Sequence, residues 1–69
     1  MVKNINIPGT IEICTPKGAV VKTLEVNYDR GVTMWGVIRD GLFWAVSPIR
    51  FINMIQEAIN EGFVIKDKR

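Results

Sequence analysis

The sequence predicts an α+β domain: an antiparallel sheet of two β-hairpins, four strands with a short fifth available, covered on one face by one C-terminal helix. Three observations carry this. Ile5, Ile7, Ile11 and Ile13, and again Leu24, Val26 and Tyr28, recur at the period of a half-buried strand. Two turn signals, Pro16-Lys17-Gly18 and Asp40-Gly41, fold such runs back on themselves. From Ser47 to Gly62 the apolar period becomes that of a helix.

Ile5, Ile7, Ile11 and Ile13 share odd parity, which assigns them to one buried face. Pro8-Gly9 interrupts that run, because proline cannot donate to a ladder and glycine tolerates unusual φ, so the first strand is expected over Thr10 to Thr15. Thr15-Pro16-Lys17-Gly18 then forms a turn, with Pro16 presetting φ and Gly18 available for a left-handed position. The resulting register pairs Ile13 with Val21, Ile11 with Thr23 and Glu12 with Lys22. The opposite charges of that last pair are worth about 0.2–1 kcal/mol. The return strand runs from Ala19 to about Tyr28. Leu24, Val26 and Tyr28 fall on the side of Glu12 in this register, so either the apolar face shifts along the hairpin or the Pro8-Gly9 bend re-aims its partner.

The segment from Asn27 to Gly31 is the longest polar connection and the expected loop between hairpins. In the second hairpin Asp40-Gly41 forms a type I′ turn, so Arg39 faces Leu42, Ile38 faces Phe43, Val37 faces Trp44, Gly36 faces Ala45 and Trp35 faces Val46. Both faces are then apolar: Gly36, Ile38, Phe43 and Ala45 on one, Trp35, Val37, Leu42, Trp44 and Val46 on the other. One helix covers one face, and the other requires a second cover.

Ser47-Pro48 is a helix start, an N-cap side chain followed by a residue whose missing N–H costs nothing at the first helical position. Phe51, Ile52, Met54, Ile55, Ala58 and Ile59 make one apolar stripe, and Gly62 ends the helix with Phe63 folding back onto its last turn. Phe63-Val64-Ile65 supplies the short fifth strand, and Lys66 to Arg69 is expected to fray.

Composition narrows the function classes. A chain of 69 residues forms one domain and buries only about 60% of its unfolded surface, so it needs dense packing, a crosslink, a metal or oligomerisation. One cysteine and no histidine leave no intrachain disulfide and no zinc set, so packing and self-association remain. The absence of histidine also excludes Ser-His and Cys-His nucleophile pairs, and no phosphate-cradling glycine loop precedes a helix. Cys14, mid-strand beside Ile13, reads as a small buried hydrophobe, and Glu57 and Glu61 as solvated helix carboxylates. No catalytic residue, metal ligand or cofactor site is expected. No apolar run is long enough to span a membrane and no secretory signal is visible, which together with the lone cysteine fits the cytoplasm.

Two surfaces could bind. Trp35, Val37, Leu42, Trp44 and Val46 form the expected protein interface, since tryptophan among aliphatic residues suits a dry contact. Alternatively, Trp35, Phe43 and Trp44 stack on single-stranded nucleic acid, with Lys22, Arg30 and Arg39 on the phosphates. Arg50 lies in the first helical turn and Glu57 and Glu61 toward the last, against the helix dipole at about 0.3–1 kcal/mol per end, which makes Arg50 a candidate anion contact. The net charge of only +2, from nine basic and seven acidic residues, weighs against nucleic acid. The expectation is a non-enzymatic interaction protein, a homodimer or larger, of the accessory or inhibitor kind found in phages and mobile elements, binding another protein. The alternative is a weak nucleic-acid binder.

Overall fold

The computed structural model describes residues 7–69. In chain order the elements are β1 (Gly9–Cys14), β2 (Val20–Asp29), β3 (Val32–Arg39), β4 (Leu42–Val46), α1 (Pro48–Asn60) and β5 (Val64–Asp67). The five strands form one antiparallel sheet in the order β4-β3-β2-β1-β5. The helix carries the chain from one edge of the sheet to the other and packs on one face, giving the predicted α+β architecture with the fifth strand present.

The second hairpin has the expected register, Arg39 opposite Leu42 through Trp35 opposite Val46. Asp40 and Gly41 both take positive φ, 53° and 76°, as a type I′ turn requires. A second turn of the same kind replaces the expected polar loop. Arg30 and Gly31 have φ of 51° and 79°, and Asp29 pairs directly with Val32, so β2, β3 and β4 form one continuous meander. Arginine at the first turn position hides this signal, because asparagine, aspartate and glycine are the usual markers there.

The first hairpin departs from the expected register by one residue. Near the turn Cys14 faces Val20, but an irregularity between Ile13 and Cys14 sets Ile13 opposite Lys22, Glu12 opposite Thr23 and Ile11 opposite Leu24. Ile13–Val21, Ile11–Thr23 and Glu12–Lys22 are therefore not pairs. The shift has a packing reason: a one-residue slip moves every side chain to the other face, and this one brings Leu24 and Val26 onto the face of Ile11 and Ile13. Ile5 lies outside the described residues, and Ile7 is exposed.

The core is Ile11, Ile13, Leu24, Val26 and Val37 from the three inner strands with Phe51 and Ala58 from the helix. Phe51 is fully buried, worth about 1.5–3 kcal/mol of transfer free energy. The Ser47 hydroxyl accepts from the Arg50 amide at 3.2 Å, fixing the helix start. At the other end the Phe63 amide donates to the Ala58 carbonyl and the Gly62 amide to that of Ile59, a Schellman closure that turns the chain into β5.

Lys66 to Arg69 does not fray. Lys66 and Asp67 belong to β5, and the Lys68 amide donates to the Thr10 carbonyl at 2.9 Å. The Arg69 side chain is only 5% exposed, holds Asp67 at 2.9 Å and donates to the Ile7 carbonyl. Charge at the end of this chain serves to tie down a terminal strand.

Candidate functional site

The structure divides the residues expected at an interface. The helix covers the face that carries Trp35, Val37 and Val46: Val37 is 6% exposed and belongs to the core, and Trp35 and Val46 pack against it. These three hold the fold together. Leu42 and Trp44 share that face by register but lie at its β4 margin, where they remain 60% and 53% exposed. Ile49, in the first turn of α1, is 73% exposed.

The opposite sheet face carries no described element, yet part of it closes on itself. Gly36 is buried, and a Cβ placed on it would lie 2.5 Å from the Phe43 ring. The ring therefore folds diagonally across β3 and occupies the space that any larger residue would need. Phe43 and Ile38 are half-buried in consequence, and Met34, Val32 and Ala45 are exposed apolar residues near them on that face. Thus Trp44 and Phe43 point to opposite faces, and the three aromatics expected to stack on nucleic acid do not form one platform.

The candidate cations also fail to converge. Arg30 sits in the β2–β3 turn and Arg39 at the far end of β3, about 25 Å away at 3.3 Å per residue. Lys22 and Arg39 lie toward the Asp40-Gly41 end of the sheet, while Arg50 is on the helix. Arg50 lines a shallow cleft with Ser47, Ile49, Asn53, Met54 and Glu57. Glu57 adds a carboxylate to the lining of the same cleft, which disfavours an anion there. Lys22 lines a second groove with Ile13, Val21, Met54, Phe63 and the carboxylates Glu57 and Glu61. Cys14 is buried between β2 and β5, opposite Val20 and Val64. No cluster of three metal-ligating side chains occurs among the described residues, and no helix there is long and apolar enough to cross a membrane.

The feature that sequence reasoning missed is the contrast between the sheet's two edges. β4 reads Leu-Phe-Trp-Ala-Val, with no charge, no proline and no shift in register against β3. Its backbone phase follows from the two-residue turn: Arg39–Leu42 is the first hydrogen-bonded pair, so Val37–Trp44 and Trp35–Val46 are the next. The Trp44 carbonyl accordingly lies toward β3, 2.6 Å from where a Gly36 Cβ would sit. Phe43 and Ala45 therefore turn their N–H and C=O groups outward. β5, the other edge, carries Lys66 and Asp67 and is flanked by the Lys68–Glu12 ion pair at 3.1 Å and the Arg69–Asp67 pair. Charged side chains are the usual device by which an edge strand avoids pairing with other chains, and β4 has none. The chain matches no protein-family model, no curated protein and no solved structure.

Proposed function

We propose that this chain is a small non-enzymatic protein-interaction module that associates with itself and acts by binding, and thereby blocking or bridging, another protein. The observation that carries the reading is the β4 margin, where Leu42 and Trp44 stand exposed beside an uncharged edge strand while Ile11, Leu24 and Val37, in the row of Trp44, are core. An exposed tryptophan with aliphatic neighbours supplies the apolar anchor that protein interfaces use. Nucleic-acid binding is the weaker reading, because the aromatics lie on two faces and the cations on three separate parts of the surface.

The test is a benzophenone photo-crosslinker at Leu42 in the purified protein, run beside anisotropy titrations of labelled single- and double-stranded DNA and RNA at low salt. The reading expects protein–protein adducts and no anisotropy rise. Binding to nucleic acid that weakens as salt is raised, without protein adducts, would overturn it.

A further inference from the structure

Resting on that reading, we propose that β4 is a self-pairing edge: two copies of the chain join antiparallel through Leu42–Val46, about a two-fold axis at Trp44, into one continuous sheet. The occupant follows from what β4 offers. An edge strand presents backbone donors and acceptors in a fixed row, and only another extended strand satisfies them all.

The register selects a second copy. With Trp44 on the axis, Leu42 lies opposite Val46 of the second copy and Phe43 opposite its Ala45, so all of β4 is paired. The outward groups of Phe43 and Ala45 then meet as hydrogen-bonded pairs, four bonds in all from the alternation of an antiparallel ladder. Trp44 meets Trp44 as a non-hydrogen-bonded pair, the closer of the two kinds. Moving the axis to Phe43 leaves Ala45 and Val46 unpaired. Moving it to Ala45 draws in Ser47, whose hydroxyl and carbonyl already serve the helix start.

Side chains agree with the backbone. The exposed Leu42 and Trp44 of both copies fall on the helix-covered face, where Trp44 carries the row Ile11–Leu24–Val37–Trp44 across the axis. Charge agrees as well. The same register sets the Asp40-Gly41 turn against Ser47-Pro48 of the second copy, where a helix begins with Arg50 in its first turn and no acidic residue of its own. A carboxylate is favoured beside a helix N-terminus, and Asp40 supplies the one that α1 lacks. Pairing through one five-residue strand is a small contact beside the roughly 800 Å² per partner of a standard interface, so the dimer is expected to be reversible and concentration-dependent.

The experiment is residue-resolved amide hydrogen exchange at protein concentrations spanning the transition in solution mass. Self-pairing predicts that the Phe43 and Ala45 amides exchange freely in dilute samples and slow at least tenfold in concentrated ones, while Leu42, Trp44 and Val46, bonded to β3, are protected in both. A45P, which removes one outward N–H where an edge strand tolerates proline, should abolish the concentration dependence at Phe43. Should A45P not fold, W44K serves instead, placing like charges at the axis. A doubled mass with Phe43 and Ala45 exchanging freely would overturn the pairing while leaving the interaction reading intact. A monomer at all concentrations would overturn the pairing as well, and the crosslinking and nucleic-acid titrations above would then decide the reading separately.

Discussion

The two edges of the sheet are of nearly equal length and opposite character. β5 joins the sheet late, after the helix, and holds its place with charge: Lys66 and Asp67 in the strand, Lys68 on Glu12, and a nearly buried Arg69 on Asp67. β4 hydrogen-bonds to β3, anchors Val46 against the core and presents an uncharged edge. Both strands close the same fold, so the difference is not a requirement of folding. Exposed apolar edges carry an aggregation risk that proteins ordinarily suppress, and the chain suppresses it on one side only. That asymmetry is the ground on which β4 is proposed as the side that pairs.

The comparison can be broken at several levels. The largest effect is expected at the shared core. Phe51→Ala leaves a void beneath α1 and should lose about 3–5 kcal/mol in urea unfolding. Both edges should be lost in one transition, since they belong to a single sheet; separate melting of β4 and β5 amides would contradict that unity. Gly36→Ala should cost about 1–3 kcal/mol, because the added methyl displaces the Phe43 ring and meets the Trp44 carbonyl. Calorimetry reads this as a lowered Tm, and an unchanged Tm would show that the ring is not seated on Gly36.

Trp44→Lys acts on the bare edge only. A lost apolar anchor and like charges on the axis should weaken association about 30-fold, or about 2 kcal/mol, in sedimentation equilibrium. Its unfolding midpoint in dilute solution should move little, because the residue is more than half exposed. Lys66→Val with Lys68→Ala strips charge from the opposite edge. Stability should change by less than about 1 kcal/mol, as for other exposed ion pairs, yet light scattering should show species larger than the dimer. If that double variant keeps the wild-type mass, charge is not what keeps β5 single.

Much of this was legible in the sequence because local chemistry fixes it. Asp40-Gly41, Ser47-Pro48 and Gly62 each impose a backbone conformation, and the turn, helix start and helix end stand where those residues put them. The Arg30-Gly31 turn was hidden because arginine there is held in positive φ by the strands on either side rather than by its own preference. The bulge beside Cys14 was equally hidden, since it answers to the shared face of Ile11, Ile13, Leu24 and Val26, a tertiary demand with no local marker. For the site, alternation correctly grouped Trp35, Val37, Leu42, Trp44 and Val46 on one face. Which of them face the helix and which the solvent depends on where α1 crosses the sheet, and no residue pattern encodes that crossing. The open edge was invisible for a related reason: edge or centre is a property of strand order, and the strand order is set by the helix carrying the chain past β4, β3 and β2 to the far side of β1.

The most direct test of self-pairing is an isotope-filtered NOE spectrum on a one-to-one mixture of labelled and unlabelled protein at concentrations where the mass is doubled. Pairing about Trp44 predicts a cross-peak between the Trp44 Hα of one copy and the Trp44 Hα of the other, the short contact of a non-hydrogen-bonded antiparallel pair. A dimer that lacks this cross-peak, and instead shows intermolecular contacts at the helix or at β5, would contradict the account.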